Sequence, residues 1–294
     1  MKKFVSYILP CCLALIAAGC DSDDMPDAGG NDDNLVEVTL RAGGNVVSRF
    51  DDYNFDNGDN IYVWLIKNNS QLTDQKRFLI TNGYFTPQDG NYTKKQKEEL
   101  TYFAMCGSYT KSGNTIKVTG GSNDVLFSIA QSADTEVTLG FAHAFCKLRL
   151  KVTNAARSIS SVKLTNVYNQ GVFEFDLAED TFYSCDDRKS SVNMFKDGDE
   201  YPYYYYLPAM NYLPNIQAIV TYTNGTSQTF RFNSDFGYAD SNELRYLVAD
   251  MSQSSGGSMG RSSNDNAAAD GYLKCVSTVT DYDDYVAIKR KSIN

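Results

Sequence analysis

Apolar and polar side chains alternate with period two through much of this chain, in short runs punctuated by turn residues. At 36–41, Val36, Val38 and Leu40 alternate with Glu37, Thr39 and Arg41, which puts the aliphatic residues on one face of a strand. A turn of Asp, Asn and Gly at 56–60 precedes a continuous apolar run, Ile61-Tyr62-Val63-Trp64-Leu65-Ile66. Such a run is what a strand buried on both faces requires. Residues 76–80, then Asn82-Gly83, then Tyr84-Phe85 read as a hairpin with a tight turn. Further strands are predicted at 100–105, 115–119, 135–139 and 145–152; the one helical hint, a short turn near Ala142-His143-Ala144, is too short for a real helix.

A second set follows Thr153-Asn154-Ala155-Ala156-Arg157. Strands are expected at 159–167, 171–177 and 203–207, the last closed by Pro208. Those at 215–222 and 227–232 are joined by the hairpin signal Thr223-Asn224-Gly225-Thr226, and 244–249 ends the set. Short strands at this spacing point to an all-β chain of two tandem β-sandwich domains, 35–154 and 155–252. Residues 253–271 have the Ser-, Gly-, Asn- and Ala-rich composition of a flexible linker. Strand-forming sequence returns at 272–279 and 285–288, within a C-terminal segment of 272–294. A strand pair this small is not stable alone, so it has to pair with its own domain or with a neighbour.

Composition changes the picture at the ends. Lys2 and Lys3, an apolar stretch at 4–18, and Leu15-Ile16-Ala17-Ala18-Gly19-Cys20 have the form of a lipoprotein signal peptide at 1–19, leaving Cys20 to be acylated. Residues 20–34 are an acidic tether too polar to bury anything. Loss of Lys2 and Lys3 takes the formal net charge two units further negative than −9, which argues against a nucleic-acid partner. Beyond the signal and Cys20, Cys106, Cys146, Cys185 and Cys275 remain in an oxidising compartment, and their three pairings stay open.

Catalytic chemistry finds little to work with. His143 is the single histidine and lies in the apolar run Phe141-Ala142-His143-Ala144-Phe145, where a packed, hydrogen-bonded core residue is expected. One histidine and no CxxC pair exclude the usual zinc sites. The acidic clusters at 56–60, 197–200 and 281–284 have the oxygen ligands calcium uses, but turn chemistry explains them and the first lacks the terminal glutamate of a calcium loop. No cofactor or enzymatic activity is expected. In Tyr201-Pro202-Tyr203-Tyr204-Tyr205-Tyr206, strand alternation puts Tyr203 and Tyr205 on one side, making them candidate ligand contacts for a glycan; a sandwich core plus an edge pair is the simpler account.

The ordered set of motifs resembles the fimbrillin family (Mfa-like), the subunits of Bacteroidales type V pili. It comprises the lipidation motif; Phe55-Asp56-Asn57-Gly58-Asp59-Asn60-Ile61-Tyr62-Val63; Gly83-Tyr84-Phe85-Thr86-Pro87 before Leu100-Thr101-Tyr102-Phe103-Ala104-Met105; 137–148 around His143; and Tyr206-Leu207-Pro208 with Tyr246-Leu247-Val248. The resemblance implies two transthyretin-like β-sandwiches and a fimbrial subunit on the cell surface, held to the outer membrane by its lipid. It implies proteolysis after an arginine near the first strand, for which Arg41 and Arg49 are the candidates. It also implies a groove filled by a strand from another subunit. Leu273, Cys275, Val279, Val286 and Ile288 are the candidate donor-strand residues. The alternative is a monomeric surface module that binds a glycan or a host protein.

Overall fold

The computed structural model describes residues 35–42, 58–66, 72–73, 75–81, 84–175, 182–185, 189–240, 243–253 and 271–279. Within them the chain is almost entirely strand, with three single-turn 3-10 helices. In chain order the strands begin with β1 (Leu35–Ala42), β2 (Asn60–Ile66), β3 (Lys76–Thr81), β4 (Tyr84–Pro87), β5 (Tyr92–Lys95) and β6 (Leu100–Cys106). Next come β7 (Tyr109–Ser112), β8 (Thr115–Thr119), β9 (Leu126–Ser132), β10 (Glu136–Leu139), β11 (Ala142–His143) and β12 (Phe145–Thr153). The second half supplies β13 (Ile159–Tyr168), β14 (Gln170–Glu174), β15 (Phe182–Cys185), β16 (Lys189–Asn193), β17 (Phe195–Lys196) and β18 (Tyr203–Pro208). It ends with β19 (Gln217–Tyr222), β20 (Ser227–Arg231), β21 (Leu244–Asp250), β22 (Gly271–Tyr272) and β23 (Lys274–Val279).

Nine strands make the first sheet, in the order β10-β1-β4-β3-β2-β6-β9-β11 with β5 also on β1. Its middle strands are buried on both faces, as the unbroken apolar run of β2 requires. Ile61, Val63 and Leu65 join Val38, Leu40, Phe78, Phe85, Tyr102 and Val137 in one core, while Trp64, Phe103 and Met105 turn into another. The second core is completed by Ile116, Val118 and Phe173 from a four-stranded sheet, β15-β14-β8-β7, and by Phe145, Tyr206 and Leu244. Two five-stranded sheets, β17-β18-β12-β21-β23 and β16-β13-β19-β20-β22, close face to face over a third core.

Pairing runs across the expected division near residue 154. β12 precedes it and pairs with β18 and β21; β8 precedes it and pairs with β14. The hairpin read at 223–226 joins β19 and β20, with Gly225 at φ 85° and its amide donating to the Tyr222 carbonyl. One local expectation is corrected. Ala142 and His143 are not a helical turn but the strand β11, laid on Phe127 and Leu126 of β9. Pairing with a neighbour satisfies backbone groups that one helical turn leaves open. The segment expected as a linker lies outside the described residues from 254 to 270.

Phe103 sits at the centre of the aromatic core, its ring 5.8 Å from Trp64, 5.5 Å from Phe173 and 4.8 Å from Phe175. Phe103→Ala leaves a cavity that close packing cannot fill, and we expect it to cost about 3–5 kcal/mol. The fluorescence of Trp64, the one tryptophan in the sequence, reports this as an earlier urea midpoint.

Candidate functional site

β1 is bonded along both of its edges. Its first half pairs with β5, its second half runs parallel to β10, and Arg41 faces Tyr84 of β4. Val38 and Leu40 are fully buried beside Ile80, Phe85, Val137 and Leu139. Each such side chain stabilises the fold by about 2 kcal/mol. Arg41, next to last in the strand, has its guanidinium 2.7 Å from Glu136 and 5.9 Å from the centre of the Tyr84 ring. Its backbone is in the ladder, opposite Thr138. Arg49 lies outside the described residues.

At the other end of the chain, β22 and β23 form a strap. β22 runs parallel to β20, and β23 runs antiparallel to β21, pairing Leu244 with Val279 and Val248 with Lys274 across a bulge. Between them Leu273 is 2% exposed in the third core, and its amide donates to the Arg231 carbonyl over 2.8 Å. Cys275 is exposed, with its thiol against the Ser277 carbonyl. Val279 belongs to the paired strand. Val286 and Ile288 lie outside the described residues. Burial of Leu273 contributes about 2 kcal/mol, and the ladder adds about 1 kcal/mol net per hydrogen bond.

The tyrosine run is distributed between two cores. Tyr203 and Tyr205 are 7% and 3% exposed and pack in the third core, so neither offers a ring face to a sugar. Burial pushes the Tyr205 hydroxyl well above the usual phenol range, although it bonds Asn169. Tyr204 and Tyr206 face the other way. There they meet a basic row on β12 that the sequence reading passed over. Lys147 lies 5.5 Å from the Tyr204 ring and 4.9 Å from that of Tyr206. Arg149 is 2% exposed, grips Asp197 through both terminal nitrogens at 3.0 and 3.3 Å, reaches Asp199 at 3.4 Å and donates to the Tyr201 carbonyl. Lys151 pairs with Glu200 at 3.0 Å. The carboxylates at 197–200 are therefore partnered by cations. The signal was the alternation Lys147, Arg149, Lys151 within an otherwise aliphatic strand.

His143 packs as expected, buried against Asp124, whose other oxygen accepts from the Val125 amide. His143 and Cys106 are both opposite Leu126, on either side of β9. Two strand spacings, about 10 Å, separate them, too far for a thiol–imidazole hydrogen bond. Burial, with the Asp59 and Asp124 charges, pushes the Cys106 thiol up to about 12. Burial and Glu243 also raise Cys146 well above the ordinary thiol range. Neither is a thiolate at neutral pH, and both, like Cys275, are free.

The model of one family, described as fimbrillin-like, matches residues 48–249, more than half of the chain. The chain belongs to the fimbrillin-like family. No curated protein matches it. Among solved structures, a candidate cell adhesion protein from Bacteroides uniformis is 13% identical with a TM-score of 0.55, over 74% of this chain and 95% of that one, which supports the fold. The tip fimbrial protein Mfa3 from Porphyromonas gingivalis, truncated at its C-terminus, is 9% identical with a TM-score of 0.42 over 73% and 93%. A fimbrial assembly protein from Parabacteroides distasonis is 10% identical with a TM-score of 0.42 over 73% and 90%. The fimbrillin-like match covers neither β1 nor the strap.

The Arg149 cluster gives this fimbrillin-like chain an acid-sensitive joint. Burial alone would raise the Asp197 pKa. The hydrogen bonds from Arg149 and the Asp199 amide, with the charges of Arg149 and Lys147, outweigh it and hold the carboxyl below its ordinary 3.8. A lowered folded-state pKa gives stability that is present above the ordinary value and lost as pH falls through the lowered one. Urea midpoints should therefore fall as pH drops below the ordinary carboxyl value, and Asp197→Asn should lose part of this acid dependence while lowering stability at pH 7.

Proposed function

We propose that this fimbrillin-like chain is a structural subunit of a surface fimbrium, made as a lipoprotein anchored through Cys20 and assembled by strand exchange, with a part in adhesion. The observation that carries the reading is β1. It is the first described strand, it fills a groove with Val38 and Leu40, and it is bonded on both edges. A cut between β1 and β2 converts it from a covalent part of the domain into a removable ligand. Its loss exposes the apolar wall formed by Ile80, Phe85, Val137 and Leu139, together with the open edges of β5 and β10. Open edges of this kind recruit a strand, with main-chain hydrogen bonds supplying affinity and alternate side chains supplying fit.

The partners on this reading are other fimbrial subunits, of the same or a related kind, and the outer membrane through the lipid. The C-terminal segment that includes Leu273 is the candidate donor. Held-back thiols and a His143 committed to Asp124 agree with a non-enzymatic role. The rival reading of a monomeric glycan-binding module loses its named contacts, because Tyr203 and Tyr205 are core residues.

Arginine-specific proteolysis of the mature chain tests the proposal. The Arg41–Ala42 peptide is held in the ladder, so the N-terminal cut is expected after Arg49, giving Phe50 as the new N-terminus; the chain tested carries Arg261→Lys so that the protease does not also release the strap. The shortened chain should form ladders that resist SDS without boiling. Arg49→Lys should abolish both the cut and the ladders, and a trimmed chain that stays monomeric with β1 still bound would count against strand exchange.

A further inference from the structure

The strap closes one edge of the sandwich over the third core, beside the 233–238 loop whose carbonyls accept from Arg245. β20 and β21 belong to opposite sheets, and the strap pairs with both. Gly271 and Tyr272 pair with Phe230 and Arg231 in one sheet, and 274–279 pair with β21 in the other. Leu273 fills the gap between them, in the core that holds Phe230, Phe232 and Leu247. Little else of the strap is buried. Tyr272 and Val276 are 59% and 57% exposed, and Lys274, Cys275 and Thr278 also face outward. A cleft of about 610 Å³ lies between its flank and Asn233, Asp235 and Phe236, with Arg245, the ladder partner of Thr278, in its wall. The strap is thus held as a bound peptide is held, by one anchoring side chain and a ladder.

We propose that the slot between β20 and β21 is a strand-binding site in its own right, and that its occupant in trans is the same strap from a second copy of this chain. This site differs from the β1 groove and needs no proteolysis. The 17 residues at 254–270 join Gln253 to the strap, and a chain of that length reaches at most about 55–60 Å. A strap on such a tether reaches the slot of an adjacent copy. Every contact made within one chain is reproduced in the exchanged pair, so the balance depends on concentration alone. The tether holds the strap at an effective concentration on the order of millimolar, and exchange becomes prominent when copies are crowded to that level. Reciprocal exchange gives a closed dimer, whereas one-way passing gives an open chain.

A cross-linking experiment on full mature chains with β1 in place tests this. One copy carries Tyr246→Cys and the other Ser277→Cys, positions that face each other in the β21–β23 register. Both carry Cys20→Ser, Cys185→Ser and Cys275→Ser to remove competing thiols. The two are mixed from about 10 µM to 1 mM, a range chosen to reach the tether's effective concentration, and mildly oxidised. A covalent dimer should form between unlike copies, rise with concentration, and fall about tenfold when Leu273→Ser is placed in the Ser277→Cys copy alone, whose weakened strap then competes with the acceptor's own intact strap. A chain carrying both cysteines should bridge within itself at low concentration. The inference is overturned if that chain bridges internally while no mixed dimer forms at 1 mM, or if either copy alone dimerises equally well. Sedimentation of the chain without engineered cysteines is the second readout, and a strict monomer at 1 mM overturns it too. No protease is used, so failure here leaves the β1 reading standing, and an absence of ladders after proteolysis leaves this one standing.

Discussion

A backbone amide at the rim of a sandwich has to find a carbonyl or face water, and a row of them attracts any strand with the right alternation. This molecule meets that constraint at two rims with sequence from near its own ends. β1 seals the first sheet between β5 and β10, and the strap seals the second sandwich between β20 and β21. The two seals differ in strength. β1 commits Val38 and Leu40 and both edges; the strap commits Leu273 and, among the described residues, leaves its outer edge unpaired. Chains that exchange strands need this grading, because a seal must prevent indiscriminate edge pairing yet remain replaceable.

The sheets are used on both faces, and on the proposed strand exchange this would keep the body intact while a terminal strand leaves. β2 and β6 send Ile61, Val63, Tyr102 and Ala104 to one core and Trp64, Phe103 and Met105 to another. β12 and β18 do the same, with Leu148 and Tyr205 on one face and Phe145 and Tyr206 on the other. Loss of β1 therefore opens one core and leaves the aromatic one filled. The Arg149 cluster lies on the second face of β12, where the chain tolerates buried cations because aromatic faces and the carboxylates of 197–199 surround them.

Much of this was legible from residues alone, and the part that was not has a physical reason. Period-two alternation located β1, and the unbroken run in β2 announced burial on both sides. Turn chemistry located the β19–β20 hairpin. These are local signals. The pairing of β8 with β14 and of β12 with β21 joins residues many tens of positions apart, and alternation specifies which face a side chain takes without naming the neighbouring strand. The tyrosine run shows the same limit. Alternation correctly separates Tyr203 and Tyr205 from Tyr204 and Tyr206, but whether a face meets solvent or a second sheet depends on tertiary packing, and here both faces are covered. The basic row of β12 was readable in principle, since Lys147, Arg149 and Lys151 recur every second residue, yet its aliphatic partners dominate the strand signal.

The relation between the seals bears on how an assembly of such chains would grow. A strap held within its own chain competes with any donation to a neighbour, and the tether sets that competition through effective concentration. Lipid anchoring, if Cys20 is acylated, confines copies to a plane and raises their mutual concentration without changing any contact. On the proposed reading, the strap that is self-bound in dilute solution would become available for exchange on a crowded surface, while removal of β1 would be the irreversible step because it breaks the chain. Reversible sealing at one rim and covalent release at the other would then divide reach from commitment, with only the second depending on a protease.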